Sequence, residues 1–203
     1  KRDWSSDVCS SDLIFTDGSS IPAMRRLAPQ HADALGHPDT WAMVVVGESY
    51  VDQDTSTKHL LGWTTQPVTY EPTGSAFLGA QRIGSDVAQR TGLIAAAMWR
   101  VAVNHGIPTT FCTDSATGGG QADGSLGTAC PDESYFLLRA LFQTLDAALE
   151  PGALQVVHTR AHAGEIFNEI ADTAAGMEAR KSFNHKRQQL DLGIWKRKRS
   201  EER

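Results

Sequence analysis

The chain has 203 residues, 40% apolar and 21% charged, with a formal net charge of −5, which is room for one domain or one domain with tails. The longest apolar run, the seven residues of Leu93–Trp99, is far short of the roughly 18 that a membrane-spanning helix needs, so such a span is excluded and no membrane partner is expected. From Thr173 to Arg203 nine basic residues face four acidic ones, whereas the first 172 residues carry ten basic against twenty acidic. An acidic body therefore carries a basic tail, and only the tail has the charge that usually marks contact with phosphate backbones.

The amino end comes first. Lys1–Leu13, KRDWSSDVCSSDL, has no hydrophobic period and contains the near-repeat SSDVCSSD. It is similar to an in-frame translation of sequencing-library adaptor, which would make it a non-native leader and open the native domain at Ile14; a natural polar leader is the alternative. It also lacks the basic-then-apolar order of an export signal. Cys9, Cys112 and Cys130 form no Cys-x-x-Cys pair, so a disulfide framework is not expected and reduced, intracellular thiols are.

Leu13–Asp17 (LIFTD) is an apolar run stopped by a Gly-Ser-Ser turn and predicts a buried strand. Ile21–Thr40, with three Pro and no period, reads as a loop insertion. Trp41–Gly47 (WAMVVVG) is a β-branched run, and Leu60–Tyr70 is a second strand whose Pro places it at an edge or interrupts it. Phe77–Ala80 is a candidate third. The period then changes: Asp86–Asn104 repeats apolar residues at helical spacing, with Ser85 as N-cap and His105-Gly106 as stop. Pro108–Asp114 is the next strand, Ala116–Cys130 with five glycines a loop, and Asp132–Leu149 an amphipathic helix closed by Glu150-Pro151-Gly152. Leu154–Thr159 and Glu165–Lys181 complete the chain as strand and helix. Strands first, then alternating helix and strand, argue for a mixed sheet flanked by helices.

Two of these strands end in an aspartate, Asp17 and Asp114. One such acid is usually a solvated turn residue. The segment from Arg160 to Asp172 raises the interest of both, because it sets His162 on a loop before a helix and places Asn168 and Asp172 four apart on one helix face, with Glu169 alongside. Oxygen ligands from two strand ends and one helix could meet in one cluster, which suits magnesium. Trp63, Trp99 and Phe136 read as core residues, and Cys112 as a small buried hydrophobe. The glycine-rich stretch lacks the order of a nucleotide-binding P-loop.

TDGSS, the CTDS strand end and the HAG…NExAD helix together resemble the type 1 ribonuclease H domain of cellular enzymes and of retroelement reverse transcriptases. The resemblance runs from Ile14 to Gly176 and leaves residues 177–203 as a basic tail. It implies the ribonuclease H-like fold, an α/β five-stranded mixed sheet with flanking helices. It also implies hydrolysis of the RNA strand of an RNA–DNA hybrid by two magnesium ions, or manganese in their place, about 4 Å apart. Asp17, Asp114 and Asp172 would be the metal ligands, His162 a catalytic group moving protons or product, and Ser19, Ser115 and Asn168 substrate contacts. A reverse transcriptase domain on the same native polypeptide is an implied partner.

One position departs from the pattern. Where the family's central helix has an acid before Leu-x-Ala-Ala, the same alignment puts Gly92, which would impair catalysis. Asp86, about 240° round the helix and roughly 9 Å along it, cannot replace the missing acid. Phosphate contacts would fall to Arg82, Arg90, Arg100, Arg160 or the tail run Lys196–Arg199. The rival reading is a non-catalytic domain of the same fold that binds nucleic acid or supports a polymerase.

Overall fold

The computed structural model describes residues 11–21, 39–50, 56–103, 106–129 and 131–182. The strands β1 (Ser11–Ser20), β2 (Asp39–Tyr50) and β3 (Ser56–Pro67) pair antiparallel in succession. Then β4 (Thr109–Thr113) joins the free side of β1 in parallel, and β5 (Leu154–His158) joins β4 likewise. The result is one five-stranded mixed sheet of order β3-β2-β1-β4-β5. Four helices accompany it among the described residues: α1 (Ser85–Val103), α2 (Ala116–Asp123), α3 (Glu133–Ala148) and α4 over residues 166–182. None of the helices is long and apolar enough to cross a membrane.

The alternation of side chains along β1 builds two cores, because successive residues point to opposite faces. Ile14 faces one layer with Met43, Val45 and Phe111 beneath Leu93 and Ile94 of α1 and Leu138 of α3. Leu13 and Phe15 face the other with Val44, Val46 and Cys112 beneath Ala171 and Ala175 of α4. A strand buried on both faces needs a continuous apolar run, which LIFTD supplies. The strand also takes in Ser11–Leu13, with Asp12 opposite Gly47 and Thr109. Lys1–Ser10, nearly all of the loop read at Ile21–Thr40, and the tail beyond Ser182 lie outside the described residues; Asp39 and Thr40 open β2.

Four sequence expectations change. Phe77–Ala80 is not a strand: only a lone bridge joins Thr69 to Phe77, and Gly79 turns at φ 82° so close to α3 that a Cβ would lie 2.4 Å from the Ser134 nitrogen. Ala116–Asp123 is a helix rather than a loop. Ser115 Oγ accepts from the Gly118 N–H at 3.0 Å, and Gly124 ends the helix in the left-handed conformation at φ 87°. Its glycines are there for contact: a Cβ on Gly119 would already touch Thr113 and Val156. At the start of α1 the cap is Gly84, whose carbonyl accepts from the Val87 and Ala88 N–H groups at 3.0 Å each, and Ser85 is the first helical residue. Trp63 and Phe136 are not core but 59% and 60% exposed, one on the edge strand and one on the outer side of α3. Trp99 does pack against the core, and Cys112 is buried, its thiol pushed up to about 11 by that burial.

Two of the four arginines expected to meet phosphate, Arg82, Arg90, Arg100 and Arg160, are also spent internally. Arg100 donates to Thr109 Oγ1 at 2.7 Å and to the Ile107 carbonyl at 2.8 Å. Arg90, 1% exposed, donates to Asp132 Oδ1 at 2.5 Å, Ser134 Oγ at 2.7 Å and Gln121 Oε1 at 3.2 Å. It thereby ties α1 to the ends of α2 and α3, and neither arginine is free for phosphate. Arg82 pairs with Asp86, and Arg160 is exposed. Arg90→Ala leaves the nearly buried Asp132 without its cation, and should cost about 3–5 kcal/mol in urea unfolding. A loss below about 1 kcal/mol would show that the network does not hold the helices together.

Candidate active site

Parallel pairing sets Thr16 opposite Thr113, so Asp17 and Asp114 are neighbours where β4 stops; β1 itself runs on through the Gly-Ser-Ser expected to be a turn, pairing with β2 as far as Ser20, so Asp17 lies within the strand and not at its end. Gly18 follows, and its missing Cβ is what lets α1 rest on this end of the sheet: a Cβ there would lie 2.3 Å from the Gln89 nitrogen and 2.5 Å from the Ala88 carbonyl carbon. The Gly18 N–H donates to Asp17 Oδ1 at 2.6 Å. From α1, Gln89 Nε2 donates to Asp17 Oδ1 at 2.5 Å and to Asp114 Oδ1 at 3.2 Å, so one amide bridges both carboxylates.

The α1 side chain that reaches the acids is therefore Gln89. A Cβ on Gly92 would also stand beside the Asp17 backbone, at ordinary contact distance from Trp41 Cβ (3.4 Å) and from the carbonyl oxygens of Asp17 (3.5 Å) and Ala42 (3.6 Å). The polar residue one turn earlier on nearly the same face is Gln89, and that spacing was the available signal. Asp86 is turned away and pairs with Arg82 and, at 3.9 Å, Arg90.

The third acid, Asp172 on α4, lies near enough for its charge to act on both Asp17 and Asp114. His162, on the exposed loop before α4 at φ 52°, holds Nδ1 3.6 Å from Glu169 Oε2 and 4.0 Å from Asp172 Oδ2. These three residues offer ligand atoms within 4.8 Å of one another. Ser19 is half-buried opposite Thr40 in the β1–β2 ladder. Ser115 uses its hydroxyl to cap α2, and Asn168 is buried, its Oδ1 without a hydrogen-bond partner. Neither therefore presents a free surface group to a large ligand. A residue the sequence reading missed, His158 at the end of β5, places Nε2 3.0 Å from the Asp114 carbonyl oxygen; its only sequence signal was its place as the last polar residue of that strand.

Burial is the main reason that Asp17 is pushed up to about 7, with the charge of Asp114 next and that of Asp172 adding; the Gly18 N–H and the Gln89 amide pull the other way. Asp114 is raised too, again chiefly by burial, with Gln89 opposing and Asp172 adding. Between the unfolded Asp value and about 7 the folded chain holds more protons than the unfolded one, so stability falls as pH rises through that window. In metal-free buffer Asp17→Asn removes the repulsion while keeping an oxygen acceptor. It should stabilise the fold at pH 8 by on the order of 2 kcal/mol, read as a higher melting temperature, and change stability little near pH 4. A gain of equal size at both pH values would disprove that linkage.

No family model matches the chain, and no curated protein matches it in sequence. Solved structures do. Over 84% of this chain and 98% of the other, it is similar to RNase H1 from the halophilic archaeon Halobacterium salinarum, at 16% identity and a TM-score of 0.54. It matches the amino-terminal RNase H domain of a Mycobacterium tuberculosis protein at 18% identity and a TM-score of 0.52, covering 89% and 99% of the two chains. The third is the RNase H domain of prototype foamy virus, 14% identical with a TM-score of 0.50, over 83% of this chain and 93% of that one. Within that virus's protease–reverse transcriptase the match covers 20% of the larger chain. Sheet order, helix placement and these likenesses agree: the chain has the fold of type 1 ribonuclease H domains.

Proposed function

We propose that this chain binds RNA–DNA hybrid inside the cell and hydrolyses the RNA strand with bound magnesium, or manganese in its place, at a site where an amide occupies one ligand position. The observation that carries this reading is the Gln89 side chain lying across Asp17 and Asp114. Burial first, and the charges of Asp114 and Asp172 after it, push Asp17 up to about 7, so the acids lack a countercharge that a bound cation would supply. The buried Gln89 Oε1 has no hydrogen-bond partner, and a half-turn of the amide would exchange it with the nitrogen that now faces the two acids. The donor set would then be oxygen throughout, which fits magnesium.

Asp17, Asp114 and Asp172 would hold the metal, with Gln89 as a neutral fourth ligand. When bound, the metal supplies Lewis-acid activation of a water and charge stabilisation at the leaving 3′-oxygen. Asp17 must give up its proton as the site fills, so binding strengthens as pH rises. His162 stands on the exposed loop beside Asp172, where it can carry a proton to or from the 3′-oxygen. The Ser115 cap holds α2 directly after Asp114, and His158 supports the Asp114 backbone. Direct substrate contact falls to Ser19 and to the exposed Arg160, while Asn168 acts through the seating of α4. A neutral amide binds a divalent ion less tightly than a carboxylate, so the activity is low. The same amide favours a second reading, a non-catalytic hybrid-binding domain beside a reverse transcriptase on one polypeptide.

Cleavage of a labelled RNA–DNA hybrid with magnesium and with manganese separates the two. Slow cutting by the chain is expected, with at least a tenfold gain in Gln89→Glu and none detectable in Asp114→Asn. Gly92→Glu, whose Cβ would stand at ordinary contact distance from the Asp17 carbonyl oxygen, adds a carboxylate beside the same acids and should also raise the rate. Hybrid binding without cleavage by either the chain or Gln89→Glu would establish the non-catalytic reading instead.

A further inference from the structure

Between β3 and α4 runs an apolar groove of about 540 Å³, walled by Trp63 on one side and Ile166, Ile170 and Met177 on the other, with Glu169 and Glu178 in its lining. Trp63, Ile166 and Met177 are 59%, 63% and 60% exposed. A contiguous apolar strip of this kind marks a surface that something covers. It arises because β3 extends the sheet beyond the width that a single helix can shield, and α4 is the one described helix on that face.

We propose that the chain's own segment Leu190–Trp195 fills this groove and thereby carries Lys196–Arg199 to the end of the sheet where the acids lie. The tail starts in the right place: α4 is described to Ser182, and Lys181 lines one end of the groove. Leu190, Leu192, Ile194 and Trp195 form the apolar cluster of an otherwise polar tail. Six extended residues span roughly 20 Å, and α4 from Ile166 to Lys181 is about 22 Å long. The intervening Phe183–Gln189 is long enough to reverse direction. Running antiparallel to α4, the segment puts Asp191 at the Lys181 end and the four consecutive cations at the Glu169 end, beside His162. Charge matches at both ends. The inference is independent of whether the site cleaves anything.

The test is the reactivity of a thiol in the groove. Met177→Cys is introduced into the full chain together with Cys9→Ser and Cys130→Ser, and its alkylation rate is compared with that of the same chain carrying Leu192→Asp, Ile194→Asp and Trp195→Asp. A chain ending at Ser182 is the second comparison, circular dichroism checks the fold of each, and Gln143→Cys on the far face of α3 serves as reference. With the tail intact, the groove thiol should react at least tenfold more slowly, at a rate independent of protein concentration, and both altered tails should restore fast reaction. Equal rates would overturn the proposal. So would protection that survives the three Asp substitutions, or protection that grows with concentration, which would assign the groove to a second copy of the chain.

Discussion

Parallel pairing of β1 with β4 is the constraint on which the rest of the site depends. It sets Asp17 of β1 beside Asp114, the residue after β4, and burial then works against both charges. Everything around the pair answers that problem. The Gly18 N–H and the Gln89 amide donate to the acids, His158 supports the Asp114 backbone, and no lysine or arginine among the described residues makes an ion pair with either one. Arg90, the nearest large cation on α1, is turned to Asp132 on the opposite side of the helix. Among the described residues Arg90 and Arg100 are spent on holding elements together, and neither reaches the carboxylates.

Arg90 thus serves the helices and does not reach the acids. A guanidinium beside Asp17 would relieve the repulsion and make the fold more stable near neutral pH. It would also fill the space that a divalent ion needs. Gln89 is an intermediate solution: it relieves part of the repulsion by hydrogen bonding while remaining neutral, and its amide can present either a donor or an acceptor to the same two atoms. A glutamate at that position would add a fourth negative charge to a site already short of countercharge. The fold without metal is thus better served by glutamine, and metal binding by glutamate.

Much of this was legible in the residues. The mixed sheet, the acids at 17 and 114 and the helix carrying Asn168 and Asp172 follow from apolar runs and i,i+4 spacing, because those features obey local rules, although β1 runs past the Gly-Ser-Ser read as its stop. What escaped were features decided by tertiary contact. Ala116–Asp123 has the composition of a loop, and it is helical because its glycines lie against Thr113 and Val156. Trp63 has the composition of a core residue and is exposed because β3 lies at the edge of the sheet.

Gly18 fixes how near α1 comes to the strands. A Cβ there would lie 2.3 Å from the Gln89 nitrogen, so a side chain would lift α1 from the sheet, and the Gln89 amide reaches Asp17 and Asp114 only because the helix lies that close. Gly92 is different: a Cβ there would meet Trp41 Cβ and the carbonyl oxygens of Asp17 and Ala42 at ordinary contact distances. The position of the bridging group is therefore set by one strand residue that has no chemistry of its own.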